Sequence, residues 1–472
     1  MYIPRKYQVV ITFFQGDLTA HKINKMNIYK LGVCYRGIQM ERFTLPEGFL
    51  LGTATAGLQI EGGDKNNTWY KWCEEGYIKD GSHCITACDH WNRVEQDTEL
   101  LKQLNVNTHR LSLEWSRIEP KAGEFSKEAI KHYRNEIKLL LKNGIKPLVT
   151  LHHFSEPLWF HEMGGWHKAG NFSYFIKYVG YVVEQLGDLV CEWVTFNEPN
   201  VYIKFGYFFG IWPPGIRKLT YSLKVYSEII KAHLNAYEVI HNIRQIMGFK
   251  GETKVGFAMH IRVFYGVTFM GKLLARMADY FFHELYMEGM VKGKIKIPLS
   301  KNGRTYCKDT YVDFLGINYY TRNIVEFTLN PSKLFHYLRS DDRLDKNDLG
   351  WDIYPYGIYS ICKKYYKLYK LPIYITENGI SDKRDTKRPD FICSHLGNIA
   401  KAIEEGIDIR GYYHWTLMDN FEWLEGESAN FGLFHCNFNN QERTIRRGGK
   451  LYSMICKEKK LTDEMIEEFL KT

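Results

Sequence analysis

The 472-residue chain has no run of about 18 consecutive apolar residues, which excludes an ordinary membrane-spanning helix. It has no internal repeat and no low-complexity tract, which excludes solenoids and long disordered arms. A basic stripe interleaved with aromatics, the footprint of nucleic-acid binding, is also missing. Of the net charge of +9, a net +5 falls in residues 1–40, where Arg5, Lys6, Lys22, Lys25, Lys30 and Arg36 face Asp17 alone. The remainder is close to balanced and makes no case for a polyanion partner. The apolar stretch "VVITFF" in that leader is short for a secretory core, and no small-residue cleavage site follows it. Residues 1–40 therefore read as a basic N-terminal extension outside the core, residues 41–460 as the folded unit, and 461–472 as a C-terminal tail.

Cysteine is present but not in disulfide spacing. Ten residues are scattered along the chain, the usage of a reduced, cytoplasmic protein. The one cluster, "HCITACDH", holds His83, Cys84, Cys88 and His90. Its C-x3-C spacing with flanking histidines has zinc-ligand chemistry, but no second Cys/His pair follows at finger spacing, so it reads as a loop with no metal. Sequons at Asn66 and Asn171 read as chance in a cytoplasmic chain.

Aromatic residues are plentiful: 15% of the chain, with 33 Tyr and 11 Trp. Their flat faces fill cores, and they also stack on the C–H faces of sugar rings. Short apolar segments alternate with longer amphipathic ones. The strand candidates are 49–55, 108–113, 146–153, 191–197, 254–261, 311–320, 371–378 and 409–417. The intervening segments read as helices, such as the one opened by Ser126 as N-cap and stopped by Gly144. Eight near-continuous apolar strands separated by helices predict a single (β/α)8 TIM barrel, with its active site at the C-terminal ends of the strands.

Only those strand ends need be searched for chemistry. They carry Gln59 and Glu61 after the first strand, Arg110 in the second, His153 at the third, and Asn197 and Glu198 at the fourth. Asn318 and Tyr320 follow at the sixth, Glu377 at the seventh, and Trp415, Glu422 and Trp423 after the eighth. Two carboxylates, Glu198 in "TFNEPN" and Glu377 in "YITENG", end apolar strands in the same way. A carboxylate pair across a pocket suits glycoside hydrolysis, one protonating the departing oxygen and the other attacking the anomeric carbon or activating water. Amides, a histidine and indoles around the pair suit sugar hydroxyls and ring faces, and match phosphate or metal chemistry poorly.

In sequence the chain resembles the family 1 glycoside hydrolases, the β-glucosidase and β-galactosidase group, from about residue 43 to 457. The resemblance rests on "FLLGTATAGLQIEGG" (with Leu58 where an aromatic, Asn or His is usual), "HRLSLEWSRIEP", "TLHHF", "TFNEPN", "DFLGINYYT", "YITENGI" and "WTLMDNFEWLEG", in order. It implies Glu198 as acid/base and Glu377 as nucleophile, with Asn197 on the 2-hydroxyl. Arg110 would orient the nucleophile, Tyr320 would hydrogen-bond it, and Asn318 would support it. Gln59, His153, Glu422 and Trp423 would hold the non-reducing sugar, with Trp415 as its floor. Glu422 resembles the free-sugar enzymes rather than the 6-phospho branch, and Glu198 as glutamate differs from the thioglucosidase branch. The expected substrate is a small-molecule β-D-glucoside, with galactoside and fucoside beside it and no cofactor. A glycosyl-transferring enzyme and a non-catalytic sugar-binding relative are the alternatives, and a homo-oligomer is compatible with all of them. "YFFGIWPP" (207–214) is expected at the entrance, facing apolar leaving groups.

Overall fold

The computed structural model describes residues 42–295, 308–330 and 336–471; the basic segment 1–40 lies outside them. Its described strands are β1 (Leu50–Ala54), β2 (Thr108–Ser112), β3 (Lys146–Thr150), β4 (Glu192–Asn197), β5 (Lys254–His260), β6 (Val263–Gly266) and β7 (Leu315–Asn318). They continue with β8 (Arg322–Phe327), β9 (His336–Arg339), β10 (Ile373–Asn378), β11 (Ile409–Trp415), β12 (Phe434–Asn437) and β13 (Glu442–Ile445). Eight of these form a closed barrel in the order β1-β11-β10-β7-β5-β4-β3-β2, all neighbours parallel. The seam closes on β1, with Leu50 beside Gly411 on one side and Gly52 beside Thr108 on the other.

Every barrel strand falls within one of the eight segments expected from sequence. The largest trimming is at 311–320, of which only Leu315–Asn318 pairs. Burial on both faces explains the unbroken apolar runs: β2, β4, β7 and β10 are buried throughout. Helix Lys127–Lys142 starts where expected, the Ser126 hydroxyl accepting from Ala129 N at 3.1 Å, and ends before Gly144 at φ +72°.

The sequence reading missed the decoration of the mouth. The chain leaves β5 at His260 and enters β6 at Val263; it leaves β7 at Asn318 and enters β8 at Arg322. Strands β6, β8 and β9 therefore form a separate three-stranded sheet on the C-terminal side of the barrel. Strands β12 and β13 pair as a hairpin after β11. The segment read as a tail carries helix Asp463–Phe469, anchored by buried Met465 and Phe469 and by the Arg42–Asp463 ion pair.

Candidate active site

Glu377 is the penultimate residue of β10, opposite Asn318 of β7. Arg110, fully buried in β2, reaches across the barrel floor and places Nη1 2.5 Å from Glu377 Oε1. The Tyr320 hydroxyl donates to the other oxygen, Oε2, at 2.7 Å. The glycine of "TENG" has a steric reason. A Cβ at Gly379 would lie 1.8 Å from the Trp415 carbonyl oxygen, so the chain beyond Glu377 passes β11 only without a side chain.

The polar groups between the carboxylates orient one another. Thr376 Oγ1 donates to Asn318 Oδ1 at 2.6 Å, which turns Asn318 Nδ2 toward Asn197 Oδ1 (3.0 Å) and Glu198 Oε1 (2.9 Å). Asn197 Oδ1 also accepts from Arg110 Nη2 at 2.7 Å, so its own Nδ2 faces His153 Nε2 at 2.8 Å. That nitrogen is then an acceptor, and the imidazole proton sits on His153 Nδ1, which is buried and has no protein partner. Gln59 Nε2 donates to Asn420 Oδ1, the Phe421 carbonyl and Glu422 Oε2 at 2.9–3.2 Å. Gln59 Oε1 and Asn420 Nδ2 are left buried without partners. Buried polar atoms are mostly paired in folded proteins, so His153 Nδ1, Gln59 Oε1 and Asn420 Nδ2 leave a donor, an acceptor and a second donor open, the complement of hydroxyl groups.

Glu198 follows β4 in the left-handed region (φ 42°, ψ 56°), a conformation that costs a glutamate free energy and is held here by Glu198 N donating to the Ala258 carbonyl at 2.7 Å. Its second neighbour is His260, at the end of β5, whose Nδ1 lies 3.2 Å from Glu198 Oε1. Arg262 Nη2 and Nε lie 2.9 and 3.2 Å from His260 Nε2. A guanidinium can only donate, so His260 Nε2 accepts and the proton is on Nδ1, directed at Glu198. Oε1 therefore receives both Asn318 and His260, and a proton carried by Glu198 belongs on Oε2.

Burial pushes both carboxyls up to about 7, with hydrogen bonding from Asn318 and the charges of Arg110 and Arg262 opposing it at Glu198. At Glu377, Arg110 opposes the burial and Glu198 adds to it. The two compete for one proton. The 2.5 Å ion pair to Arg110 holds Glu377 as the ionised member, whereas the direct partners of Glu198 are a neutral amide and an imidazole. Burial raises Glu422 to about 8, against hydrogen bonds from Gln59 and Trp415.

Aromatic rings wall the cavity. Trp423 stacks on His153 (5.7 Å between centroids) and is backed by Trp69 (5.0 Å) and Phe154 (5.1 Å). Trp415 tilts over His153 at 5.8 Å. Trp212, from the segment expected at the entrance, packs on Trp69 at 5.4 Å and Phe205 at 5.0 Å, and Phe209 and Ile211 beside it are exposed. On the other side, half-buried Trp351 meets Tyr320 at 5.9 Å. Thus Gln59, Arg110, His153, Asn197, Glu198, Asn318, Tyr320, Glu377, Trp415, Glu422 and Trp423 are brought together.

Glu61, the remaining strand-end candidate, is instead paired with Arg117 at 2.6 Å and with Tyr133 at 2.8 Å. The "HCITACDH" cluster is divided: His90 lies between Asp97 and Glu136, Cys88 Sγ points at the Asp419 carbonyl, and His83 and Cys84 turn toward Cys73. Both sequon amides are engaged by backbone carbonyls, and Asn171 is buried. His260, Arg262, Asn420 and Trp351 were missed. The fifth strand end, "AMHIR", offered the first two to a reading of strand ends; Trp351 lies on a long loop with no periodic signal.

A closed (β/α)8 barrel with a buried carboxylate pair, unpaired hydroxyl-matching groups and aromatic walls defines a carbohydrate-processing enzyme. Residues 41–461 match the model of Glycosyl hydrolase family 1, and the chain belongs to that family of glycoside hydrolases. It is 32% identical over 450 residues to "Beta-glucosidase A" of Thermotoga maritima, covering 89% of this chain and 99% of that one. It is 30% identical over 518 residues to a "Beta-galactosidase" of Pyrococcus woesei, covering 90% and 99%. Among solved structures, a β-glycosidase from Pyrococcus horikoshii superposes with a TM-score of 0.82 at 38% identity, over 92% of this chain and 99% of that one. A Thermotoga maritima β-glucosidase in complex with deoxynojirimycin gives 0.81 at 31% identity, over 89% and 100%.

Proposed function

We propose that the protein is a retaining β-glycosidase that removes terminal non-reducing β-D-glucosyl residues, and β-D-galactosyl or fucosyl residues, from small-molecule glycosides. The observation that carries this reading is the unequal bonding of the two buried carboxylates. Glu377, held ionised by Arg110, is the nucleophile that attacks the anomeric carbon. Glu198, protonated on Oε2, gives that proton to the glycosidic oxygen as the bond to the leaving group breaks. Once Glu377 is esterified its charge is gone, and the repulsion it shares with Glu198 goes with it. Glu198 then ionises more readily and takes a proton from the water that hydrolyses the ester. A single residue thereby serves as acid and then as base.

The unpaired His153 Nδ1, Gln59 Oε1 and Asn420 Nδ2, with Glu422, support binding of the sugar's hydroxyls. Trp415 and Trp423 support stacking on its ring. Glu422 puts a carboxyl rather than a cation at the sugar's edge, which offers a 6-phosphate no countercharge. The apolar rim at Phe205, Trp212 and Trp351 supports aryl or alkyl leaving groups. Eight described cysteines, all free, support a cytoplasmic setting, and among the described residues no helix is long and apolar enough to cross a membrane.

The roles are tested by azide rescue. Glu377→Ala with azide should turn over an activated aryl glycoside to the α-glycosyl azide, and Glu198→Ala to the β-glycosyl azide. The opposite pairing of variant and product would exchange the two assignments, and no rescue in either would refute them.

A further inference from the structure

We propose that Cys73, His83 and Cys84, with the Glu74 carboxylate, form a structural site for a soft divalent cation, with the ligand chemistry of Zn2+. The segment "CEEGYIKDGSHC" places an adjacent ligand pair at each end of a short loop, Cys73 and Glu74 before it, His83 and Cys84 after it. The fold brings those ends together: the donor atoms of Cys73, His83 and Cys84 all lie within 4.8 Å of one another. Four-coordinate zinc bonds sulfur at about 2.3 Å and imidazole at about 2.0–2.1 Å, so its ligand atoms stand roughly 3.5–4 Å apart, within reach by side-chain rotation. Both thiols are buried and free.

A carboxylate lies beside the third ligand. Glu74 Oε1 lies 3.1 Å from His83 Nε2, and His83 Nδ1 accepts from the Ile85 backbone N–H at 3.0 Å. A cation on either ring nitrogen replaces one of these two hydrogen bonds. If it takes Nδ1, Glu74 becomes the carboxylate that orients the ring and water completes the shell. Binding converts the two thiols to thiolates and releases their protons, so affinity falls as pH falls.

The site's position assigns its use. The loop it would close braces the turn that carries Glu422 and Trp423. Lys79 N donates to the Leu424 carbonyl at 3.0 Å, Glu427 N donates to Asp80 Oδ2 at 2.8 Å, and Lys79 is ion-paired with Glu425. Helix Thr68–Glu74, which ends in Cys73 and Glu74, also carries Trp69 against Trp423. A cation clipping helix to loop therefore steadies the sugar-binding turn without touching the carboxylate pair. This use, unlike the metal site itself, rests on the glycosidase reading.

The test uses the intact enzyme, purified under reducing conditions without chelator. Elemental analysis is expected to return about one zinc per chain. Co2+ added to stripped protein should give thiolate-to-cobalt charge-transfer and tetrahedral bands, absent in Cys73→Ser and Cys84→Ser. In the wild type, Zn2+ should slow alkylation of Cys73 and Cys84, a readout independent of how the variants fold, and stripping zinc should raise KM several-fold with little change in kcat. An unchanged alkylation rate with Zn2+, an octahedral cobalt spectrum, or a Cys73–Cys84 disulfide in peptides from the reduced-purified enzyme would overturn the site. Zinc binding with unchanged KM would overturn only its link to the sugar-binding turn.

Discussion

Two buried glutamates in this barrel have nearly the same immediate partners and different surroundings. Glu61 and Glu377 each follow or end a barrel strand, each meet an arginine at about the same distance (2.6 Å to Arg117, 2.5 Å to Arg110), and each accept from a tyrosine hydroxyl (2.8 Å from Tyr133, 2.7 Å from Tyr320). Around Glu61 the neighbours are structural: Glu114, pushed up to about 8 by burial, accepts from Leu58 N, and Arg117 lies over the Trp91 ring at 4.0 Å. Around Glu377 there is a second carboxylate of unlike bonding and a set of hydrogen-bonding atoms with no protein partner. A Glu–Arg–Tyr cluster is therefore no mark of catalysis, and neither is a lone unpaired atom, since Glu114 Oε2 is unpaired beside Glu61; what sets Glu377 apart is the facing carboxylate Glu198, bonded to Asn318 and His260, with amide, imidazole and indole groups gathered around the pair.

The largest effects should come from breaking each triad. Glu377→Ala should lower kcat/KM by at least about 10^4-fold while the protein stays folded, as removal of a covalent nucleophile does elsewhere. Glu61→Ala should leave partly buried Arg117 and buried Tyr133 without their acceptor and cost about 3–5 kcal/mol of stability, read as a lowered Tm, with kcat nearly normal in the folded fraction. If Glu61→Ala abolished turnover in fully folded protein, the distinction between the two would fail.

Next in size is the sugar-facing carboxylate. Glu422→Ser should reduce kcat/KM about tenfold or more, since it removes hydrogen bonds to the sugar edge worth about 0.5–1.5 kcal/mol each when the carboxyl is neutral and more when it is ionised. It should also change the ratio of glucoside to galactoside turnover; an unchanged ratio would count against Glu422 reading that edge of the ring.

Smaller, and specific to Glu198, is the effect of Arg262→Met. It removes a cation and frees the His260 tautomer, so less favours ionised Glu198, and the alkaline limb of the kcat/KM profile should move to higher pH. A shift to lower pH would reverse the reasoning for the His260 proton.

The last effect is on stability alone. Glu422 has its folded pKa raised to about 8 from 4.5, so between these values the native state binds the proton more tightly than the unfolded chain does. Its contribution to stability is fully present below about pH 4.5 and is lost as pH rises to 8. Glu422→Gln, which cannot ionise, should have a higher Tm than the wild type at pH 8 and an equal one near pH 4. Equal Tm values at both would remove the burial argument.

The barrel was legible because its strands are buried on both faces: a run such as "LPIYITEN" has no charged residue until Glu377, so the interruption itself points to the site. Glu198, Glu377, Asn197 and Trp415 were readable for that reason. Glu61 was readable as a strand-end carboxylate but not as a brace, because sequence does not reveal that Arg117 and Tyr133 close on it. Trp351 was illegible: it sits on a long excursion between β9 and β10, positioned by an Arg322–Asp341–Asp352 network that no periodicity announces. Cys73 was passed over because its partners His83 and Cys84 are ten and eleven positions away, outside the spacing of the cluster that drew attention.

In the proposed double displacement Glu198 is the acid and Glu377 the nucleophile. Proton NMR of the first sugar released from an aryl β-glucoside, recorded before mutarotation, tests it most directly. The β-anomer is expected, because two inversions restore the starting configuration. The α-anomer as first product would mean direct attack by water and would contradict the assignment of Glu377.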